Sequence, residues 1–401
     1  MGFISRLLIE LGPAALVVKA ILFSLAGIFL LIAFIVLRRW YRGRYFEELN
    51  QRTYAIRAQW DDIVSGRLPA KSWRLKKVDC SIVESILLDS IEVATPEQLP
   101  QFLKPLRDSG LLDMRILEAR RRSGWTQRAA LVALGRTRTP EAVPGLAEAL
   151  DSSSQETRIA AVRGLGRTGV IEAAVPLLDR YVAGQLKVPE QVLKNALAAC
   201  CRPNPSVLLG YMDQCSGSTR ELLARVLGEL AGPELLDELL ILTADKLPEV
   251  RASAARALGN AKSPVALAAL SALAADPEWF VRLRAVVALG TLEHPGKLKP
   301  LLRALCDSNR NVRQRAGWAL ARIEPELDHI LEKVIETNDK YALQAFISEL
   351  ERSGAVEKVV ALLESQQGSG PAKALLLEAL SDGKKRLEKT ALANSAAAGG
   401  H

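Results

Sequence analysis

A 31-residue period constrains this chain more than any other feature. Counting in steps of 31 from Gln127, the residues Arg158, Pro189, Arg220, Arg251, Arg282, Arg313 and Gln344 occupy one position. Seven residues further on come Leu134, Leu165, Ala196, Leu227, Leu258, Leu289, Leu320 and Glu351, and Gly135, Gly166, Gly228, Gly259 and Gly290 follow in five of these units. The register needs no insertion. A fixed period of this size marks a repeat array in which each unit cannot bury its own apolar faces and must stack on its neighbours.

Within a unit two helical patterns alternate. The first is short and rich in Leu and Ala, as in residues 142–150, 235–244, 265–273 and 298–305, and it begins after Thr139-Pro140-Glu141, Gly232-Pro233-Glu234 or Ser263-Pro264. Proline in the first turn suits a helix start, where its missing N–H has no partner to lose. The second runs from the Arg position to the Leu-Gly pair. Its Ala254, Ala285 and Ala316 admit close neighbours, and the glycine after the leucine is expected to form a left-handed C-cap. Aromatic residues are only 5% of the chain, a balance that favours packed helices over strands. The expected fold is all-α: a right-handed α-solenoid of helix pairs over residues 111–381.

The N-terminal part differs. Residues 20–37 are uncharged and almost wholly apolar, and only Lys19 interrupts the extension back to Gly12. Eighteen helical residues span about 27 Å, close to the hydrocarbon thickness of a bilayer. The expected anchor covers about residues 14–37. Arg38, Arg39, Arg42 and Arg44 crowd its C-terminal side, against Arg6 and Lys19 on the other. Excess positive charge stays in the cytoplasm. This predicts an inner-membrane, single-pass protein with its N-terminus outside and its solenoid in the cytoplasm. The four arginines are candidate contacts for lipid headgroups. Residues 1–44 thus form the tail, anchor and basic flank. Residues 45–110 are expected as a juxtamembrane helical region with helices near 47–64, 81–91 and 97–107, and residues 382–401 as a disordered tail.

The chain's net charge of +8 resides largely in the flank. Without residues 1–44 there remain 47 basic and 44 acidic residues, a net of +3. Such a balance argues against a nucleic-acid-binding solenoid. The five cysteines have no regular spacing, and no CxxC pair occurs. Neither a disulfide framework nor a metal site is expected. No Gly-rich phosphate loop or Ser/His/Asp set is present, so no catalytic residue, cofactor or small-molecule substrate is assigned.

The most regular polar feature is the file Arg158, Arg220, Arg251, Arg282 and Arg313. Asp245, Asp276 and Asp307 precede their arginines by six residues, Asp151 and Asp213 by seven. Two readings follow. The arginines form a basic strip for an acidic partner, or each Asp caps the second helix and pairs with an arginine of its own or the next unit. Trp279 and Trp318 are candidate partner contacts, because large aromatics dominate binding energy at interfaces.

The pattern Asp245-x(5)-Arg251-x(2)-Ala254-x(3)-Leu258-Gly259 resembles HEAT repeats, most nearly the short type named after phycobilisome lyases. The resemblance implies an armadillo-type solenoid. Its position after an anchor is similar to bacterial membrane-tethered adaptors, which implies a scaffold that binds a protein partner rather than an enzyme. The alternative it implies is a chromophore lyase-like enzyme or a chaperone for a modified protein. No site residue is carried over from the family.

Overall fold

The computed structural model describes residues 13–69, 77–323 and 327–354. The expected final helix pair near 356–380 and the tail at 382–401 lie outside the described residues. Among the described residues all regular structure is helical. The chain divides into two compact units, Met1–Leu117 and Glu118–His401.

The first unit begins with α1, Pro13–Ala58, a single helix of 46 residues. At 1.5 Å per residue it is about 69 Å long. The anchor and the next helical segment were expected as separate pieces; they are one helix, with no Pro or unsatisfied cap between residues 37 and 47 to break it. An 18-residue window of α1 has a mean hydropathy of 3.0 and is 0% buried by the rest of the chain. By length and composition this helix is able to cross a membrane. α2 (Trp60–Val64), α3 (Lys77–Val93), α4 (Leu99–Asp108) and α5 (Leu111–Arg121) follow. Within this unit Arg115 forks onto Glu84 with two hydrogen bonds of 2.6 Å, and Arg52 joins Asp79 at 3.0 Å.

The second unit is the solenoid. Its second helices are α6 (Gly124–Arg136), α8 (Gln155–Thr168), α10 (Glu190–Cys200), α12 (Gly217–Leu230), α14 (Pro248–Ala261), α16 (Trp279–Thr291), α18 (Arg310–Leu320) and α20 (Lys340–Ser353). The first helices between them are α7 (Val143–Glu148), α9 (Ala174–Val182), α11 (Val207–Met212), α13 (Leu236–Leu242), α15 (Leu267–Leu273), α17 (Leu298–Leu305) and α19 (Leu327–Glu336). Four of the first helices enter through a 3-10 turn that begins at Pro140, Pro233, Pro264 or Pro295. Each second helix packs on the next. The core is the leucine of the repeat: Leu134, Leu165, Leu227, Leu258, Leu289 and Leu320 are all 0–1% exposed.

The repeat glycine has a different task from the expected C-cap. Gly135, Gly166, Gly228, Gly259 and Gly290 all lie inside their helices and have no positive φ. The left-handed caps fall later, on Gly169 after α8 and on Lys262 after α14. What excludes a side chain is the neighbouring helix. A Cβ on Gly135 would lie 2.7 Å from the Cα of Gly164, one on Gly166 2.6 Å from the Cα of Ala196, and one on Gly259 2.8 Å from the Cβ of Ala288. The glycines therefore set how closely successive second helices approach. Overpacking such a contact typically costs about 1–3 kcal/mol. Gly259→Val should lower the denaturation midpoint, followed by far-UV circular dichroism, while the exposed Lys262→Ala should not.

Candidate functional site

The arginine file is a chain of ion pairs that crosses from unit to unit. Arg251 donates from Nε and Nη2 to the carboxylate of Asp276 at 2.7 and 3.0 Å. Arg282 does the same to Asp307 at 2.6 and 2.9 Å, and Arg220 reaches Asp245 at 3.0 and 2.8 Å. Every partner lies 25 residues ahead, in the following unit. The remaining nitrogen, Nη1, turns back to its own unit: Arg251 donates to the carbonyl of Asp245 at 2.9 Å, and Arg282 to that of Asp276 at 2.8 Å. Each aspartate also accepts the N–H two residues on, Leu247, Glu278 or Asn309, at the entry to its second helix. One Arg-Asp set thus ties a helix start, its own loop and the neighbouring unit.

These groups are mostly covered. The side chains of Arg282 and Asp307 are 14% and 8% exposed, and those of Arg251 and Asp276 15% and 6%. Burial is the largest influence on the Asp276 and Asp307 carboxyls and opposes their charge. Hydrogen bonds from Arg251 or Arg282 and from a backbone N–H, with the charges of the flanking arginines, outweigh it, so both carboxyls lie below the ordinary aspartate value.

The ladder reaches neither end of the file. Among the described residues Arg158 meets only carbonyls, those of Ser152 at 2.7 Å, Ser153 at 3.1 Å and Lys187 at 3.4 Å. Asp151, for which the spacing leaves open an arginine of its own or the next unit, accepts two 2.8 Å hydrogen bonds from Arg180, outside the file. Asp213 is only marginally paired, its carboxylate 3.9 Å from Arg220 and 83% exposed. At the other end Arg313 donates to the carbonyls of Asp307 and Ser308 at 2.7 and 3.0 Å. It has no ion pair among the described residues and stands 5.3 Å from the ring of Tyr341.

The two tryptophans part company. Trp279 is 43% exposed and packs edge-on to Phe280 at 6.1 Å. Trp318 is half-buried, with the guanidinium of Arg322 4.0 Å above its ring. In the solenoid, the exposed aromatics among the described residues besides Trp279 are Trp125 at 76% and Tyr341 at 54%; both fall at starts of second helices, and Tyr341 shares its register position with Trp279 and Arg310. On α1, Arg38, Arg39 and Arg42 line a shallow cleft with Phe34, Ile35 and Phe46, and Arg44 lies 4.8 Å over Trp40.

Among the described residues no group of three or more His, Cys, Asp or Glu is placed to hold a metal ion. Burial pushes the thiols of Cys200 and Cys201 up to about 12, and Cys200 donates to the carbonyl of Leu165 at 3.3 Å. These are inert core groups rather than nucleophiles.

A family model described as HEAT repeats matches residues 113–198, 205–290 and 270–351. The chain belongs to the HEAT-repeat family. No curated protein matches it in sequence. Similar solved structures include an engineered protein, 17% identical over 80% of this chain and 99% of the other, with a TM-score of 0.36. Human deoxyhypusine hydroxylase in complex with glycerol is 20% identical over 60% and 95%, with a TM-score of 0.26. The complex of CpcE and CpcF of phycocyanin lyase from Nostoc is 18% identical over 68% and 94%, with a TM-score of 0.24. A HEAT solenoid offers an extended surface suited to protein interaction.

Two outcomes follow for the HEAT ladder. Asp276→Asn removes one of the two charges in a covered pair, a change worth about 3 kcal/mol, and should lower the urea midpoint near neutral pH. Because the folded carboxyl lies below its unfolded value, its contribution is complete above the unfolded value and is lost as pH falls through the folded one. The variant should therefore show a shallower acid decline of the midpoint than the parent. A thiol reagent at neutral pH should modify the exposed Cys306 first, and reach Cys200 and Cys201 only after unfolding, as counted by mass spectrometry.

Proposed function

We propose that this chain is a membrane-held scaffold that binds a protein partner on the surface made by its second helices. The observation that carries the reading is the contrast between two layers of that surface. The covered layer, Arg220 to Arg282 with Asp245 to Asp307, is internally paired. Outside it, Trp279 and Tyr341 are exposed, and Arg284, Arg310 and Arg315 are exposed with no hydrogen bond or ion pair among the described residues. Aromatic and arginine side chains standing free on a rigid array are the residue types that supply most binding energy in protein interfaces.

The N-terminal helix supports the membrane half of the reading. Its apolar window is not covered by the chain, and Trp40, Tyr41 and Tyr45 beside the four arginines are 52–71% exposed. Aromatic and basic residues at the end of an apolar helix suit the bilayer interface. In this reading the solenoid lies in the cytoplasm, Arg38, Arg39, Arg42 and Arg44 meet lipid headgroups, and the partner is itself at the membrane.

A photo-crosslinking residue placed at Trp279 in living cells should give a discrete adduct that the same residue at Val265, exposed at the start of a first helix, does not. Equal adducts at both positions, or none at Trp279, would sink the reading. A fluorescent protein fused to the C-terminus should be fluorescent and remain in the membrane fraction after alkaline carbonate extraction; recovery in the supernatant would remove the anchor.

A further inference from the structure

The ladder of arginines ends on a vacant rung. In three successive units an arginine fork closes on a carboxylate 25 residues ahead, at Asp245, Asp276 and Asp307. For Arg313 that position is Asn338, and the neighbouring Asp339 caps α20 through Oδ1, accepting from the N–H groups of Tyr341 at 2.8 Å and Ala342 at 3.2 Å, and makes no ion pair with Arg313. Arg313 keeps the inner half of the ladder geometry, with Nη1 on the carbonyls of Asp307 and Ser308. Its Nε and Nη2, which in Arg251 and Arg282 hold a carboxylate, have no acceptor among the described residues.

The surroundings of that fork are open and basic. Arg310, Arg313, Gln314, Tyr341, Gln344 and Ser348 line a cleft of about 340 Å³ between α18 and α20. Arg310 is exposed and has no partner among the described residues. Lys340 brings a third positive charge, its Nζ 5.0 Å from the Tyr341 ring. The nearest ladder carboxylate, Asp307, is already closed by Arg282. Two guanidinium groups thus line the cleft where the internal carboxylate series stops, an ammonium group stands against its Tyr341 ring, and amide and hydroxyl groups are ready to take further hydrogen bonds.

We propose that this cleft receives a side-chain carboxylate from an acidic segment of the protein partner, which completes the ladder in trans on Arg313. The guanidinium fork matches a carboxylate in two parallel hydrogen bonds, and the three internal rungs display that match with the same residue types. The assignment rests on the scaffold reading above for its biological meaning, but the cleft is testable without the natural partner.

The test uses the full chain in detergent micelles and a fluorescein-labelled tetraglutamate peptide, with tetraglutamine as its neutral counterpart, followed by fluorescence anisotropy. Tetraglutamate should bind saturably and tetraglutamine should not, with affinity falling as salt rises. Arg313→Gln should weaken tetraglutamate about tenfold, the loss of one charge-assisted fork. Arg310→Ala, which leaves the carbonyl contacts of Arg313 intact, should also weaken it. Asn338→Asp, which restores a carboxylate to the register position, should compete with the peptide and reduce its binding while circular dichroism stays unchanged. The proposal is overturned if tetraglutamate does not bind the parent chain, or if it binds Arg313→Gln and Arg310→Ala as well as the parent. Displacement of the peptide by inorganic phosphate at lower concentration than by acetate would likewise overturn the carboxylate assignment and move the site to phosphorylated ligands. Failure here with a specific adduct at Trp279 would refute the cleft and leave the scaffold; the reverse would do the opposite.

Discussion

The solenoid depends on a contact that no single repeat can make. Each ladder aspartate belongs to three structures at once: it accepts a backbone N–H at the start of its own second helix, offers its carbonyl to its own arginine, and gives its carboxylate to the arginine of the preceding unit. For Asp276 these partners are Glu278, Arg282 and Arg251. Taking such a pair out of water is expensive, and the return is greatest in geometry rather than in net stability. The fork fixes the separation and angle of adjacent units, while the buried leucines supply the apolar driving force.

The glycines make that geometry reachable. With helices so close that a Cβ at Gly135 or Gly259 would collide with the facing backbone or alanine, the arginine side chain is long enough to bridge to the next aspartate. A bulkier residue there would push the helices apart and stretch the rung. Packing and electrostatics therefore select the same spacing, which is the kind of agreement between local and global preferences that produces one native state.

Most of the fold was legible in the linear order because a repeat prints its own architecture: the period locates the helix pairs, the prolines their starts, and the leucines their core. The details that failed share a cause. The glycine after Leu258 resembles a helix stop in sequence, yet its constraint comes from Ala288, 29 residues away. Asp151 sits at nearly the ladder spacing, but it faces Arg180, because the preceding unit carries Gln127 where an arginine would reach it. The pairing of Arg251 with Asp276 rather than with Asp245 is a matter of which neighbour a side chain reaches across a helix gap. Sequence spacing allowed both. The exposure of Trp279 against the shielding of Trp318 by Arg322 is likewise decided by three-dimensional neighbours.

The contact at Arg158 has a mechanical meaning. A stack of units joined only to their neighbours behaves as springs in series, and its compliance is set by the softest joint rather than by the average one. Between the units of α8 and α10 the guanidinium meets a peptide carbonyl at 3.4 Å instead of a forked carboxylate, and a proline stands where the next arginine would be. Elastic bending should therefore concentrate across the two joints from α8 to α12, since the one that follows, at Pro189, has no fork either. The three forks that join α12 to α18 make the segment from Arg220 to Arg313 the stiffer part of the stack.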